Sequence, residues 1–386
     1  MNTNLDIDAL LDDRQTRIIV CCGSGGVGKT TTSAALALRA AERGRKVVVL
    51  TIDPARRLAQ SMGIEQLDNT PRPVPGAGGP STSSGTDGHL DAMMLDMKRT
   101  FDEVVLSQAS PEKAQQILQN PFYIALSSSF AGTQEYMAME KLGQLHRDAQ
   151  RSGAYDLIVV DTPPSRSALD FLDAPERLSS FLDGRFIRML LAPARGPARL
   201  MSAGFAMVTG ALSKVLGGQF LKDLQTFVSA LDTVFGGFRA RAQQTYALLQ
   251  ARGTAFLVVA APEDDALREA AYFVERLQGD RMPLAGLVVN RATLSRHSDL
   301  SAAAATAATE RLAAAELDPA GVTAGLLRIH ADRERLVTRQ RTLRQRFAAA
   351  HPQVPAVVVP ALAGDVHDLD GLRAVGRLLA EATTER

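Results

Sequence analysis

The feature that most constrains this chain is a glycine-rich stretch near its start, GSGGVGKT at residues 23–30. A glycine, four further residues and then Gly-Lys-Thr satisfy the P-loop pattern. An apolar, β-branched run over 17–22 precedes it, and an alanine- and leucine-rich segment with helical spacing follows it over 31–42. The stretch is therefore predicted to connect a strand to a helix, which is the structural context in which this motif binds phosphate.

The residue types in this stretch fit phosphate chemistry. Glycines let the backbone wrap around a phosphate with its amide N–H groups pointing inward, and the following helix adds about half a positive charge at its N-terminus. Lys29 is predicted to reach the β- and γ-phosphates of a nucleotide, and the Thr30 hydroxyl to ligate Mg²⁺. The predicted nucleotide-binding residues are Gly25, Gly26, Val27, Gly28, Lys29, Thr30 and Thr31.

Two further strands end in a carboxylate. KVVVLTI at 46–52 is followed by Asp53, and YDLIVVD at 155–161 ends in Asp161. The carboxyl ends of parallel strands form the edge where open α/β sheets bind ligands. Asp161 has the form of a Walker B residue, which holds Mg²⁺, often through water. Asp53 fits either a residue that orients or deprotonates the attacking water or the N-cap of a helix beginning near residue 55, and the residues alone leave both interpretations open.

Short apolar runs alternate with helical segments along most of the chain. The remaining predicted strands are Leu90 to Asp96, Ala255 to Ala260, Leu284 to Val289 and Val354 to Pro360, and predicted helices include Arg99 to about Gln119 and Asp265 to Leu277. This alternation predicts an α/β fold with a doubly wound, mostly parallel sheet. Asn290 and Arg291 follow one of these strands, where the amide of Asn290 could contact an adenine edge.

Composition excludes several classes of protein. Of the 386 residues, 46% are hydrophobic and 22% are charged, with a net charge of +1. No block of like charge indicates a nucleic-acid partner, and no apolar run approaches the roughly 20 residues needed to span a bilayer. The N-terminus lacks the pattern of a secretory signal, which predicts a cytoplasmic protein. The two cysteines, Cys21 and Cys22, are adjacent, so neither a disulfide framework nor a Cys-x-x-Cys zinc site is predicted.

Three segments depart from the strand and helix alternation. Residues 71–89 are rich in Pro, Gly, Ser and Thr and are predicted to form a flexible loop. Residues 98–150 and 172–252 are predicted to form a helical insertion in a single domain spanning 1–386. The second segment fits either a helical subdomain that packs its own core or an adaptable apolar groove for another protein's helix. Candidate groove residues are Phe186, Met189, Met201, Phe205 and Met207.

Taken in order, these motifs resemble those of the ArsA-type family of P-loop ATPases. That family includes the arsenical pump ATPase and the guided-entry ATPase that delivers tail-anchored membrane proteins. GGVGKTT at 25–31 is similar to the family's deviant P-loop, TIDPA at 51–55 to its first switch and DTPPS at 161–165 to its second. The later similarities are FAGTQEYMAMEKL at 130–142, VVNR at 288–291 and VPALAGDVHDLDGL at 359–372.

The resemblance carries specific expectations for the site and the assembly. It implies ATP and Mg²⁺ as ligands, Asp53 as the residue that activates the water, and Asn290 as an adenine contact. It also implies a dimer with ATP between facing subunits, and client-binding helices within 172–252. The chain is thus expected to be a Mg²⁺-dependent ATPase switch that binds an apolar segment of a membrane protein.

Departures from the family pattern keep two alternatives open. The deviant P-loop usually carries a lysine at the position of Ser24, and that lysine reaches the partner's phosphates. Its replacement leaves open a homodimer, and it favours as one alternative a poorly hydrolysing scaffold completed by a lysine-bearing paralogue in a heterodimer. The other alternative, the ATPase subunit of an arsenite or anion pump, lacks the cysteines for a three-thiolate site. The zinc-binding Cys-x-x-Cys of the eukaryotic targeting ATPases is also missing.

Overall fold

A sheet of eight strands forms the centre of the molecule. The computed structural model describes residues 4–53, 57–78, 88–121, 123–124, 127, 133–163, 237, 240–295, 299–315, 318 and 321–381. The strands are β1 Ile18–Cys22, β2 Lys46–Thr51, β3 Arg72–Pro73, β4 His89–Met94, β5 Leu157–Asp161, β6 Thr254–Ala260, β7 Leu284–Ala292 and β8 Ala356–Pro360, in the order β3-β4-β2-β5-β1-β6-β7-β8. All neighbours are parallel except β3 and β4. This arrangement confirms the predicted α/β fold with a mostly parallel sheet.

Helices cover both faces of the sheet. The named helices within the described ranges are α1 Ile7–Asp12, α2 Lys29–Glu42, α3 Arg57–Ser61, α4 Met97–Gln108, α5 Pro111–Leu118, α6 Thr133–Ser152, α7 Asp264–Gly279, α8 Ala302–Ala314, α9 Val322–Ala350 and α10 Leu369–Ala380. Alternate residues of β1 belong to different hydrophobic clusters, with Ile18 and Val20 in one and Ile19 and Cys21 in the other. The central strands are therefore buried on both faces, which explains why they appear in the sequence as continuous apolar runs.

Two of the predicted boundaries differ from the structure. The single helix predicted over 99–119 is wrong, because the chain forms α4 and α5 with a break at Ser110. Ser110 has an extended backbone, as expected for a residue before proline, and Pro111 begins the next helix, where its missing N–H is not needed. Strand β7 continues to Ala292, so Asn290 and Arg291 lie within it rather than beyond its end.

The segment predicted to be a flexible loop contains packed structure at its start. Arg72 and Pro73 pair with β4, and Val74 and Ala77 are buried against the α2 side of the sheet. Apolar side chains at these two positions account for the packing. Residues 79–87 of the predicted loop lie outside the described residues.

The helices of the predicted insertion are described only in part. Side chains of α4, α5 and α6 share one hydrophobic cluster with β1 and β2, so these helices pack directly on the sheet. Residues 240–250 are helical, and Arg241 donates to Glu140 of α6 at 2.9 Å. Residues 164–236 lie outside the described part. Among the described helices, none has the length and apolarity needed to cross a membrane.

Candidate functional site

The P-loop joins β1 to α2, as predicted, and its shape depends on glycine. Gly28 is the N-cap of α2 with a φ of 92°, and Gly23 has a φ of 149°. A Cβ atom at Gly23 would come within 2.1 Å of the Val259 carbonyl oxygen, and one at Gly28 within 2.3 Å of Asn290 Nδ2. A side chain at Gly23 is excluded by backbone atoms, whereas one at Gly28 would displace the Asn290 side chain, and both φ values disfavour a residue with a Cβ atom.

Lys29 lies buried at the first position of α2. Its Nζ donates to the carbonyl oxygens of Gly23 at 3.0 Å and Ser24 at 2.8 Å. Burial lowers the pKa of Lys29, and the nearby Asp161 carboxylate opposes that shift. The amine is thus held against the loop at the N-terminus of a helix, where a phosphate would meet both its charge and the helix dipole.

Asp161 is the centre of a buried hydrogen-bond cluster. Thr30 Oγ1 and Thr51 Oγ1 each donate to Asp161 Oδ2 at 2.8 Å. Thr51 and Asp161 are register partners at the ends of β2 and β5, which brings their side chains together. The structure therefore unites Thr30 and Asp161, the two predicted magnesium ligands. It adds Thr51, which the sequence analysis did not identify as a site residue.

The second oxygen of this carboxylate indicates a ligand. Asp161 is fully buried, and burial raises its pKa to about 6 against the opposing effects of the two hydroxyl donors and Lys29. Its Oδ1 atom is buried and has no hydrogen-bond partner among the described residues. Unsatisfied buried acceptors are costly, and carboxylate and hydroxyl oxygens are the ligands that Mg²⁺ takes in nucleotide sites. Thr30 and Asp161 therefore fit a magnesium ion.

Asp53 lies at the rim of the same site. It follows β2 by two residues, lines the cavity beside Lys29 and Thr30, and donates its backbone N–H to Thr51 Oγ1 at 3.2 Å. The proximity of Asp53 to the P-loop agrees with either interpretation of this carboxylate. The residues that would form the start of the following helix, 54–56, lie outside the described part.

Asn290 and Arg291 approach the P-loop from β7. Asn290 Nδ2 donates to the Val27 carbonyl at 2.8 Å, and Arg291 Nη1 donates to the Gly26 carbonyl at 3.1 Å. Arg291 has a φ of 60°, an uncommon conformation for a residue other than glycine. Both side chains thus brace the loop. The Asn290 carboxamide keeps an oxygen and a second N–H for a ligand.

A cavity of about 1190 Å³ brings these residues together. Its walls include the P-loop, Asp53, Asn290 and Arg291, together with the loop 361–367 that follows β8. Two lining residues on α3, Gln60 and Ser61, were not among the predicted site residues. A short helix after a strand that ends in a carboxylate is a weak signal, and nothing in the sequence indicates which of its residues face the cavity.

The remaining residues considered in the sequence analysis are the candidate groove residues and the two cysteines. The candidate groove residues Phe186, Met189, Met201, Phe205 and Met207 lie outside the described part. Within that part, no group of three or more His, Cys, Asp or Glu side chains is arranged to hold a metal ion. Cys21 and Cys22 are completely buried in β1, and burial raises the pKa of each thiol to about 12.

Comparison with known proteins relates the chain to one family. Residues 16–319 match the family model described as anion-transporting ATPase. The chain is 27% identical over 288 residues to ATPase GET3 of Podospora anserina, covering 74% of this chain and 76% of that protein. It is 28% identical over 204 residues to a putative arsenical pump-driving ATPase of Halobacterium salinarum, covering 50% of this chain and 30% of that protein.

A third relative comes from Streptomyces coelicolor. It is the uncharacterized protein SCO2128, 31% identical over 206 residues, with 51% of this chain and 47% of that protein covered. The chain thus spans most of one of these relatives and less than half of the other two. The family match covers most of the chain and includes the P-loop, Asp53, Asp161 and Asn290. This chain therefore belongs to the anion-transporting ATPase family, whose members are ATP-hydrolysing enzymes.

Proposed function

We propose that this chain is a Mg²⁺-dependent ATPase whose nucleotide state controls the binding of an apolar client segment by an assembly of two subunits. The observation that carries the ATPase part is the hydrogen bond between Thr30 of the P-loop and the buried Asp161, with Lys29 one residue away. Membership of the family supports ATP as the nucleotide. The client and the assembly rest on the resemblance to the guided-entry ATPases.

The residues of the site have separate roles in this proposal. Lys29 and the amides of the P-loop bind the phosphates, and Thr30 and Asp161 hold the magnesium ion. When bound, the ion neutralises charge on the transferring phosphoryl group. Asp53 orients the attacking water and accepts its proton. Asn290 is anchored to the Val27 carbonyl, and its remaining polar atoms are assigned to the adenine.

Phosphate release from purified protein tests the ATPase part. We expect Lys29→Met to lower the rate by at least about 100-fold, since it removes a charge from the phosphates. Lys46→Met is the matched control, because Lys46 begins β2 at the opposite end of the strand from Asp53. Asp53→Asn is expected to lower kcat with little change in KM, because the amide cannot accept the proton. Equal rates in the Lys29 variant and the wild type would contradict the proposal.

Client binding is tested separately with an apolar helical peptide. The interval between Arg199 and Lys214 has no charged residue, which favours an apolar contact surface. We expect binding to differ between the ATP and ADP states, and to weaken in a Met201→Ser, Phe205→Ser double variant. Tyr272→Ser is the control, since Tyr272 is an exposed aromatic residue on α7. An absence of binding in every nucleotide state would contradict the client part.

Ser24 favours a second candidate, in which this chain is a poorly hydrolysing partner of a lysine-bearing paralogue. The Ser24 side chain is almost buried, and its Oγ has no hydrogen-bond partner within the described residues. A short neutral side chain supplies no charge to another subunit's phosphates. Mass measurement and phosphate release with and without near paralogues distinguish the two candidates. Steady hydrolysis by this chain alone, lost in Asp53→Asn, would exclude the second.

A third candidate function is the pump role that is named for some relatives. One similar protein is named a putative arsenical pump-driving ATPase. The sequence has only two cysteines, and both thiols are buried in β1, which disfavours arsenite binding through thiolates. Stimulation of phosphate release by arsenite would favour that role over client binding.

A further inference from the structure

A single threonine hydroxyl connects the two acidic residues of the site. Thr51 Oγ1 accepts the backbone N–H of Asp53 at 3.2 Å and donates to Asp161 Oδ2 at 2.8 Å. The Thr51 residue is 1% exposed and Asp161 is fully buried, so water does not compete for these bonds. Thr51 is the last residue of β2 and the first residue of the TIDPA stretch, in which the sequence analysis assigned a role only to Asp53.

The direction of these hydrogen bonds follows from proton counting. A hydroxyl has one proton to donate and two lone pairs to accept with. The Asp53 carbonyl oxygen lies 3.5 Å from Thr51 Oγ1, and Asp161 Oδ2 lies 2.8 Å from it. A hydrogen bond to a carboxylate is also stronger than one to a neutral carbonyl. The proton therefore goes to Asp161, and a continuous chain runs from the Asp53 amide through Thr51 to the carboxylate.

The two hydrogen bonds of Thr51 help to position Asp161 at one end and the Asp53 backbone at the other. Thr30 and Thr51 donate to the same oxygen of Asp161, which orients the carboxylate, and Oδ1 has no hydrogen-bond partner among the residues that the structure describes. At the other end, Thr51 provides the acceptor that holds the backbone of Asp53 close to the end of β2. One hydroxyl thus makes hydrogen bonds to both acidic residues of the site.

We propose that Thr51 is a positioning residue that couples Asp53 to Asp161, so that the orientation of the metal-side carboxylate sets the position of the water-activating residue. The inference rests on the proposed ATPase function. It assigns a role in the site to a residue that is neither part of the P-loop nor one of the two carboxylates. Because Thr51 does not line the cavity, its effect is transmitted through these two hydrogen bonds.

Two substitutions separate the hydroxyl from the rest of the side chain. Thr51→Val has the same shape without the hydroxyl, and Thr51→Ser keeps the hydroxyl without the methyl group. We expect Thr51→Val to lower kcat at least about 10-fold, since small misplacements of catalytic groups cost up to about 100-fold. KM for ATP is expected to change less than about twofold, because Lys29 and the loop amides are untouched. Thr51→Ser is expected to restore most of the wild-type kcat.

A metal-binding measurement provides a readout independent of turnover. Mn²⁺ is titrated into the protein with a non-hydrolysable ATP analogue and followed by electron paramagnetic resonance. Thr51→Val is expected to weaken Mn²⁺ binding several-fold, because Asp161 loses one of two donors, whereas Thr51→Ser is expected to bind like the wild type. Nucleotide affinity measured in EDTA is expected to be equal in all three proteins, which confirms an intact P-loop.

A double-mutant cycle tests the coupling to Asp53. If Thr51 acts through Asp53, adding Thr51→Val to an Asp53→Asn protein is expected to lower kcat by less than about twofold. A wild-type kcat and Mn²⁺ affinity in Thr51→Val would overturn the inference. Equal impairment in Thr51→Ser and Thr51→Val would also overturn it, since the methyl group rather than the hydroxyl would then matter.

Two further outcomes concern a Thr51→Val protein that does not fold and a wild type that does not hydrolyse ATP. If Thr51→Val does not fold, Thr51→Ser is compared with Thr51→Ala, and equal Mn²⁺ affinities in these two proteins overturn the inference. If the wild type releases no phosphate from ATP, the proposed function fails. The Mn²⁺ titration still tests the link between Thr51 and Asp161 in that case.

Discussion

Gly28 is held in place by a neighbour from a distant part of the sequence. Its φ of 92° is unfavourable for any residue with a Cβ atom, and that atom would lie 2.3 Å from Asn290 Nδ2. An alanine would therefore displace the side chain that braces the Val27 carbonyl. Gly28 is therefore sensitive to substitution for two reasons, its backbone conformation and its proximity to Asn290 of β7.

We predict that Gly28→Ala lowers the free energy of unfolding by about 1–3 kcal/mol and weakens nucleotide binding at least about 10-fold. Thermal unfolding and titration with a fluorescent nucleotide check the two effects. Gly325→Ala is the control, because Gly325 lies within α9 with no atom within 4 Å of a built Cβ. Alanine there is expected to be neutral or to stabilise by up to about 1 kcal/mol. A nucleotide affinity unchanged by Gly28→Ala would contradict this account of the loop.

Ser24 lies at the position where the resemblance to the deviant P-loop implies a lysine. Its side chain is almost buried, so a lysine at this position has to turn outward to place its amine in solvent or on a partner subunit. We predict that Ser24→Lys raises the hydrolysis rate of the assembled protein at least about 10-fold, since a cation provided in trans contributes about 10³ to 10⁵ in related sites. Ser24→Met separates the effect of charge from that of size. An unchanged rate in Ser24→Lys would show that the missing cation does not limit turnover.

Several of the predicted site residues have a local signature. Lys29, Thr30 and Asp161 belong to motifs in which neighbouring residues constrain one another. Thr51 was not found because its role depends on β5 lying beside β2 with Thr51 opposite Asp161. The TIDPA stretch includes Thr51, but the sequence does not give the register that places it opposite Asp161.

At the level of elements, Arg45 fixes the entry to β2. The residue is 1% exposed, and its guanidinium donates to four backbone carbonyls and to the Asp156 carboxylate at 2.7 Å. The carbonyls belong to Leu11, Asp13, Thr16 and Asp156. Burial lowers the pKa of Arg45, and the Asp156 carboxylate opposes that shift. One side chain thus ties the end of α1 to β2 and to the residue that precedes β5.

We predict that Arg45→Met destabilises the protein by about 3–5 kcal/mol, because it leaves several buried acceptors without a donor. Chemical denaturation measures the loss. Arg43→Met is a matched control, since Arg43 lies on the surface and its ion pairs with Asp8 and Asp12 are partly exposed, which makes a change of less than about 1 kcal/mol the expectation. Similar losses in the two variants would contradict the special role of Arg45.

Whether a segment forms a helix or a strand was predicted from the sequence more accurately than the residues at which the segment ends. Strands such as β1 and β5 could be predicted because burial on both faces requires uninterrupted apolar residues. Strand β7 was predicted to end at Val289, since Asn290 and Arg291 are polar, yet both are braced by the P-loop carbonyls and remain in the sheet. The break between α4 and α5 was visible as Pro111 and was missed because the apolar spacing continues through it.

For the whole molecule, the cavity joins segments that are far apart along the chain. Its lining residues come from 26–31, 53, 57–61, 290–291, 359–367 and 375, which lie in both halves of the chain. The alternation of strands and helices predicted the sheet but not its order, and the resemblance was needed to expect Asn290 of β7 beside the nucleotide. The sequence therefore allowed the phosphate end of the site to be predicted more fully than the rest.

Because the cavity is lined by segments from distant parts of the chain, the effect of nucleotide binding on the unfolding midpoint tests the entire site. A ligand that binds only the folded state adds about 2.7 kcal/mol at a concentration 100-fold above its Kd. We predict that ATP with Mg²⁺ raises the unfolding midpoint by several degrees, and that ATP in EDTA raises it less, because Asp161 and Thr30 then have no ion to share. The Lys29→Met variant is expected to lose most of the increase, and Lys46→Met to keep it. A midpoint that rises equally with and without Mg²⁺ would show that the buried Asp161 carboxylate does not take part in binding.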